Sequence, residues 1–342
     1  MSAPEPKPAG LITQIDSTDG TIGVTNPSGN RVNLSAQGGA NSLIGYTRAT
    51  NTALGVGAGV SVTSGTLNTA VGVDALTANT TGLSNTALGE SALASNTTGD
   101  HNTAVGEYTL TANTTGGSNN AIGDQALAAN ITGQSNCAMG ENALGQNTAG
   151  SFNNAFGEQA LATNTGSNNN AFGKTALVYN STGSNNDAVG DGALLHNTTG
   201  NLNTAVGDAA LYSSTTGNSN TGVGNSAGAP LVSGSNNTAI GDSTILGGAT
   251  EGATIVGQGA TASSDHSLAL GFTASATGDG AVAIGTDNTG AGAATAVVNE
   301  IVLDTALHTT NLPGTPAFVA GDQYLVIDAA GHIHKSGLGP VS

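Results

Sequence analysis

The sequence predicts an all-β fold, an elongated parallel β-solenoid of the left-handed β-roll type. A short motif recurs along the chain at a regular spacing, and glycines stand at fixed places within each copy. Large side chains are rare: the 342 residues include 53 Gly, five Tyr, five Phe and no Trp. Small apolar side chains fill a globular core poorly, but they suit a thin core that repeats along an axis.

The repeat is a 17-residue variant of Asn-Thr-Ala-Val-Gly, and we number its positions from the leading Asn. Position 3 is Ala in all copies but one, position 4 is a larger apolar residue, position 5 is Gly, and position 9 is usually Leu. One step is a single residue shorter than the others, because a turn residue is missing at 164–166. The twelve copies begin at Asn51, Asn68, Asn85, Asn102, Asn119, Asn136, Asn153, Asn169, Asn186, Asn203, Asn220 and Asn237.

Each copy predicts two short strands separated by two glycine turns, in which the glycines supply positive φ. Neighbouring residues of a strand point to opposite faces, so apolar residues at positions 3 and 4 predict that both faces of the first strand are buried. A single solenoid leaves one of those faces open. We therefore expect a homotrimeric fibre, with the Ala column crowded at a three-fold axis and Ala121→Phe weakening assembly by overpacking.

The period becomes shorter after Gly241, as the closely spaced segments 267–271 (Ser-Leu-Ala-Leu-Gly) and 281–285 (Ala-Val-Ala-Ile-Gly) illustrate. These segments resemble the head repeats of YadA-like trimeric adhesins. The resemblance, which extends over about 51–289, implies left-handed parallel β-rolls that assemble as trimers. The 17-residue copies differ from that pattern by a longer outer turn.

The flanking regions are not repetitive. Residues 11–34 predict three short strands, and the tail predicts strands near 300–303 and 323–328 followed by a turn at 329–331. The tail from Ile301 to Ser342, with the segment Gly-Asp-Gln-Tyr-Leu-Val-Ile-Asp at 321–328, resembles the region that precedes an endosialidase-type intramolecular chaperone in phage fibres. That resemblance implies a trimeric fibre and leaves three alternatives for the chaperone: it was cleaved from the chain, it was trimmed from it, or it was never encoded.

Four regions follow from these boundaries. Residues 1–50 are predicted to be an N-terminal attachment region with short strands, and 51–250 to be the twelve 17-residue solenoid repeats. Residues 251–289 are predicted to be 14-residue YadA-like head repeats, and 290–342 to be a β-rich tip or pre-chaperone segment.

Charge excludes two classes of partner. The formal net charge is −17, which disfavours nucleic acid and anionic membranes, because both require a cationic surface. No apolar run is long enough to span a membrane, and the first residues lack the apolar stretch of a secretory signal, so we expect assembly in the cytoplasm. Cys137 is the single cysteine and is expected to serve packing.

No catalytic constellation is recognisable, and we predict that the chain is not an enzyme. Position 6 carries an acidic column: Glu90, Glu107, Asp124, Glu141, Glu158, Asp191, Asp208 and Asp242, interrupted by Lys174 and Asn225. This column can maintain solubility and block lateral sheet association, or its carboxylates can form weak divalent-cation sites.

His332 and His334 are the other candidate site residues. Two His at i and i+2 of a strand share a face, so three chains would bring six imidazoles together, a set that suits Fe²⁺ or Ni²⁺. It resembles the His-x-His iron sites of phage fibre tips. The alternative is a pair of exposed strand histidines, and no other cofactor is predicted.

The function predicted from these features is a structural and adhesive trimeric fibre or spike of a phage or phage-like contractile particle. Its N-terminus would contact baseplate, tail or capsid proteins, and its distal part would contact a glycan or protein receptor on a target cell. One alternative is the passenger of a secreted trimeric adhesin on a bacterial surface. A second is a tailspike enzyme that degrades polysaccharide, which would need grouped carboxylates in a groove.

Overall fold

The computed structural model describes residues 45–48 and 51–285, together with four later strands at 295–296, 301–303, 324–327 and 333–336. Side chains are described for 51–285. These parts form two units, Met1–Asp304 and Thr305–Ser342. The predicted strands within 11–34 and the predicted turn at 329–331 lie outside the described residues.

The first unit is a parallel β-solenoid in which each coil contributes one short strand to a common sheet. Strand β1 (Gly45–Arg48) pairs antiparallel with the first coil strand and covers that edge of the sheet. The coil strands of the twelve copies are β2 (Asn51–Leu54), β3 (Thr69–Val71), β4 (Thr86–Leu88), β5 (Thr103–Val105), β6 (Asn120–Ile122), β7 (Cys137–Met139), β8 (Asn154–Phe156), β9 (Asn170–Phe172), β10 (Asp187–Val189), β11 (Thr204–Val206), β12 (Thr221–Val223) and β13 (Thr238–Ile240).

The sheet continues through the shorter coils, which add a second strand to each turn. The strands from there on are β14 (Ile245–Leu246), β15 (Thr254–Val256), β16 (Thr261–Ala262), β17 (Leu268–Leu270), β18 (Ser275–Ala276), β19 (Val282–Ile284), β20 (Thr295–Ala296) and β21 (Ile301–Leu303). Strands β15, β17, β19 and β21 extend the first sheet to 17 strands, while β14, β16, β18 and β20 form a second, four-stranded sheet. The predicted all-β solenoid is therefore confirmed for one chain, although its handedness remains a prediction.

Register is maintained across the irregular step. Ala155 pairs with Ala171 although this step is a single residue shorter than the others, and the flanking strands keep Ala opposite Ala. The missing residue is absorbed in the turn, where the Asn164 side chain donates to Gly166 O two residues on, instead of three residues on as in other coils. The one-residue deletion in this turn therefore does not change which side chains of the adjacent strands point into the core.

The second leg of the 17-residue coil is not the predicted strand. Leu127 has a φ of 52° and Gln125 a φ of 56°, which are left-handed values. The neighbouring residues Ala126 and Leu127 are both fully buried, which the alternation of a strand does not allow. Backbone hydrogen bonds still join successive coils there, as from Leu127 N to Ala143 O (2.9 Å). The leg therefore curves so that two consecutive side chains enter the core.

The core lies inside each coil and consists of Ala from position 3, Ala from position 8 and Leu from position 9. Ala121 is fully buried within the single chain, so the prediction that this column meets other chains at a three-fold axis is wrong. At Gly222, which takes the place of this Ala, an added Cβ would lie 2.8 Å from the Leu211 side chain. Ala121→Phe would therefore overpack the core of its own coil instead of an interface.

Two columns of buried Asn fill one end of the 17-residue coil. In one coil, Asn102 Nδ2 and Asn113 Nδ2 both donate to the carbonyl oxygen of Gly116, at 2.8 and 3.0 Å. Asn113 Nδ2 also donates to Asn96 Oδ1 of the preceding coil (2.8 Å), and its own Oδ1 accepts from Asn130 Nδ2 (2.8 Å). We call this arrangement of two Asn and one Gly the Asn–Gly clasp.

Glycine is needed at position 5 and at position 15 of the 17-residue repeat for different physical reasons. Gly123, at position 5, has a φ of 131°, which confirms the predicted role of glycine at that turn. Gly116 is not among the residues with positive φ, so that explanation is wrong for it. A Cβ there would lie 2.4 Å from both Gly133 O and Asn113 Oδ1. The closing glycine is needed because adjacent coils approach each other closely at the clasp.

The second unit contains one described hairpin. Strands β22 (Tyr324–Ile327) and β23 (Ile333–Ser336) pair antiparallel, with Val326 opposite His334. The predicted strand near 323–328 is confirmed by β22, and the one near 300–303 is confirmed by β21 in the first unit.

Candidate functional site

The outer face of the 17-stranded sheet carries a continuous apolar column. Because the position-3 Ala points into the core, the position-4 side chain of the same strand points outward. Eleven of these side chains are 36–46% exposed in the single chain. The column consists of Leu54, Val71, Leu88, Val105, Ile122, Met139, Phe156, Phe172, Val189, Val206, Val223, Ile240, Val256, Leu270 and Ile284.

Two aromatic side chains of the apolar column are in contact between adjacent coils. The rings of Phe156 and Phe172 stack with centroids 4.9 Å apart and planes 5° from parallel. Monomeric soluble proteins rarely expose contiguous apolar patches larger than a few hundred Å². A stripe running through fifteen coils of one sheet therefore indicates an interaction surface.

A more polar column runs beside the apolar one. The side chain at position 2 of each copy points to the same side of the sheet as the side chain at position 4, and it is usually Thr or Asn. In one pair of adjacent coils, Asn154 Nδ2 donates to Asn170 Oδ1 (2.7 Å). Cys137 occupies this column and is partly exposed, and burial raises the pKa of its thiol. In the last coils Leu268 and Val282 take the polar position, so the outer face becomes apolar at both columns.

The acidic column at position 6 is exposed along its whole length. Lys174 Nζ lies 3.0 Å from Glu158 Oε2, and the hydrogen bond to Glu158 is the main reason that the pKa of Lys174 is raised. The charge of Glu90, followed by that of Glu107, raises the pKa of Tyr108 above its usual 10.0. The two alternative roles of the acidic column, solubility and cation binding, stay predictions.

The second leg carries a cluster of rings that the sequence reasoning missed. Tyr179 stacks on His196 with centroids 5.5 Å apart, and His196 meets Tyr212 edge-on at 4.9 Å. A signal was available, because Tyr179 and His196 hold the same position of successive copies and Tyr212 stands one position earlier in the next copy. The clasp Asn of the second leg, such as Asn113, was missed as well, although its recurrence at position 12 was visible.

The predicted metal residues are not brought together by any described contact. His334 lies in β23, whereas His332 lies outside the described residues. The side chains of both residues are also outside the part of the chain for which side chains are described. Within the part of the chain that the structure describes, no group of three or more His, Cys, Asp or Glu is arranged to hold a metal ion. The His-x-His site therefore remains a prediction.

Comparison with known families gives one match. Residues 256–274 and 262–288 match the YadA head domain repeat in two overlapping copies. A comparison with curated proteins gave no match. No helix in the described parts of the chain is long and apolar enough to cross a membrane. The matched span contains β17 and β19, whose Ala269 and Ala283 pair in register. Residues 256–288 therefore carry YadA head repeats, as their sequence predicted.

Proposed function

We propose that the chain is the subunit of a homotrimeric adhesive fibre whose subunits meet along the apolar column. The observation that carries the proposal is the exposure of this column within a single chain. It runs from Leu54 into the YadA head repeats at Val256, Leu270 and Ile284 without a break. Proteins that bear this repeat are adhesins, which supports attachment to a surface as the role.

The assembly is tested by charge substitution within the column. Ile122→Asp and Met139→Asp together should convert the trimer into a monomer in light scattering, because burying two carboxylates per chain in an apolar interface is costly. The matched control is Leu202→Asp, since Leu202 is 61% exposed but lies in a turn outside the column. A wild-type chain that is a folded monomer at micromolar concentration would contradict the proposal.

Cys137 offers a second readout without substitution, because it is the single cysteine and lies on the same outer face. Its thiol should react more slowly with a maleimide in the wild-type assembly than in the Ile122→Asp/Met139→Asp variant. Equal rates in the two proteins would place the chain contacts elsewhere. Loss of cell attachment in the monomeric variant, with attachment retained by Leu202→Asp, would support the adhesive role.

The carrier of the fibre is proposed to be a phage or phage-like contractile particle, with residues 1–50 contacting its baseplate, tail or capsid proteins. The support is the resemblance of 301–342 to segments that precede a fibre chaperone. The secreted trimeric adhesin is the second candidate, which the head repeats at 256–288 favour. Recovery of the native protein in purified particles or on the bacterial surface separates the two.

We also propose that the fibre binds without cleaving its target. The acids at position 6 form an exposed column with at most one carboxylate per coil, whereas glycoside hydrolysis uses a pair of carboxylates that flank one bond. Release of reducing ends from host polysaccharide by the purified trimer would establish the tailspike enzyme instead. Metal analysis of trimer purified without a His tag or a chelator tests His332 and His334; a content far below one metal per three chains would exclude the shared site.

A further inference from the structure

We infer that Tyr179, His196 and Tyr212 form a subsite for an uncharged pyranose residue on the outer side of the second leg. This inference rests on the proposed adhesive function and deepens it, because it names the chemical class of the receptor. The three residues come from the consecutive coils that begin at Asn169, Asn186 and Asn203.

The rings form two surfaces at a right angle. The planes of Tyr179 and His196 are nearly parallel, at 8° to each other, whereas the plane of Tyr212 is 88° from that of His196. Tyr179 is 51% exposed and Tyr212 is 36% exposed, so ring surface remains open to solvent. An open groove beside them is lined by Tyr179, His196, Thr198, Ser213 and Thr215.

The cluster is a local departure from the repeat. The seven copies that precede it carry small or polar residues at position 11, such as Ala112 and Gln146, where Tyr179 and His196 stand. Gly192 occupies position 7 beneath the cluster, and a Cβ there would lie 3.6 Å from the Tyr212 ring. The adjacent coils carry a residue with a side chain, Thr or Ala, at that position. The sequence therefore changes at several places at once where the rings meet.

The lining matches the two kinds of surface that a pyranose presents. Aromatic rings offer an apolar face with a polar tip, and a sugar ring offers C–H groups on its face and hydroxyls around its edge. The Thr198 hydroxyl donates to Thr215 O and the Thr215 hydroxyl donates to Val232 O, both at 2.9 Å. These hydroxyl groups are thereby fixed in orientation, and their oxygen lone pairs remain able to accept from a sugar hydroxyl.

Charge decides which saccharide fits. The five lining residues include no carboxylate, while the chain carries a net charge of −17 and Asp191 and Asp208 lie in the same coils. That field opposes sialylated and uronic-acid saccharides, since like charges across a contact disfavour association. An uncharged hexose or N-acetylhexosamine is the occupant that both the rings and the charge favour. The cluster also lies on the second leg, so chain contact along the apolar column on the first strand does not require these residues.

The test is binding of the full chain to an array of neutral oligosaccharides of glucose, galactose, mannose and N-acetylhexosamines, beside sialylated and uronic-acid oligosaccharides. We expect retention on at least one neutral saccharide and a loss of tenfold or more in the Tyr179→Ala/Tyr212→Ala variant. Tyr179→Phe/Tyr212→Phe keeps the rings and should keep most of the binding. Tyr108→Ala is the matched control, because Tyr108 is 40% exposed and lies outside the cluster.

Each other outcome overturns the inference. These outcomes are the absence of any neutral ligand, retention on acidic saccharides alone, an equal loss in Tyr108→Ala, and unchanged binding in the double Ala variant. Attachment to cells that survives periodate oxidation of glycans but not protease treatment would indicate a protein receptor instead. Light scattering and cell attachment, measured on the same preparations, test the proposed function separately. A Tyr179→Ala/Tyr212→Ala variant that remains trimeric and still attaches to cells would be consistent with that function but would contradict the saccharide subsite.

Discussion

The long coils of the Asn-led copies and the short coils of the head repeats share one parallel sheet but fill their interiors in different ways. The long coil that begins at Asn119 buries Leu127 and Asn130 in addition to its alanines. The short coil that begins at Ser267 buries Ala269 and Ala276 and has no counterpart of the Leu. Both coils keep the outward apolar residue, so the outer face changes less between them than the interior does.

The comparison teaches that the extra residues widen the coil and that the clasp closes the wider end. A longer turn brings more backbone polar groups inside, and buried polar groups need hydrogen-bond partners. Asn supplies both a donor and an acceptor at each step of the column. Where the short coils begin, Ala253 takes the place of the leading Asn, and its N–H ends the column by donating to Asn237 Oδ1 (2.9 Å).

The largest effect is expected for the Leu of the long coil. Leu127→Ala should lower the free energy of unfolding by about 2–5 kcal/mol, because it leaves a cavity that stacked coils cannot close. Denaturant unfolding measures the loss. Ile122→Ala, on the exposed column of the same coil, is the control for an isolated chain and should cost much less. Equal losses in a monomeric background would mean that Leu127 does not fill the long coil.

Steric crowding at the clasp is the next test. Gly116→Ala should cost about 2–4 kcal/mol, since its Cβ meets a backbone oxygen and the clasp Asn and must push adjacent coils apart. The neighbouring Gly117 is the matched control, because its nearest contact would be Asp100 O at 3.1 Å and other coils carry side chains there. Amide hydrogen exchange should show the opening centred on the clasp coils; a Gly116→Ala protein as stable as Gly117→Ala would contradict the close-approach explanation.

The deletion coil provides a natural variant of the clasp. Asn113 and Asn147 each donate twice, but Asn113 Oδ1 accepts from Asn130 whereas Asn147 Oδ1 has no partner. Asn113→Ala should therefore cost about 1–3 kcal/mol more than Asn147→Ala, because it leaves one further buried N–H unpaired. The two variants are compared by denaturant unfolding. Identical losses would show that the acceptor side of the Asn column contributes nothing.

Periodicity predicted the features that recur at fixed spacing and have one physical cause. The coil length, the register through Asn169 and the turn glycine at Gly123 follow from the spacing and from positive φ. The second leg could not be predicted, because Leu127 and its neighbours adopt left-handed φ values that branched or bulky residues rarely show. The direction of Ala121 was also undetermined, since two adjacent apolar residues do not reveal which one enters the core.

The candidate surfaces were predictable to a different extent. The acidic column could be recognised from its fixed position in the repeat, but the outward direction of the apolar column could not, because the alternation of a strand separates positions 3 and 4 without showing which of them faces the core. The ring cluster was visible only in part, because Tyr179 and His196 hold the same position of their coils whereas Tyr212 stands one position earlier in its own. Only the curvature of the second leg brings position 10 of one coil against position 11 of the preceding coil.

The smallest expected effect concerns the acidic column, which the short coils lack: Gln258 and Phe272 follow their turn glycines. Glu90→Gln should lower the pKa of Tyr108 towards 10.0, because it removes the charge that contributes most to disfavouring the phenolate and weakens the hydrogen bond to the hydroxyl. NMR titration of the Tyr108 ring measures the change.

Glu107→Gln should shift the pKa of Tyr108 in the same direction by less. High salt should reduce the difference in this pKa between wild type and Glu90→Gln, since screening weakens the interaction between exposed charges. Asp208→Asn, six coils away along the column, is the control and should leave Tyr108 unchanged. If Glu90→Gln left the pKa of Tyr108 unchanged while Asp208→Asn shifted it, the acidic column would act through its total charge and not through residues of neighbouring coils.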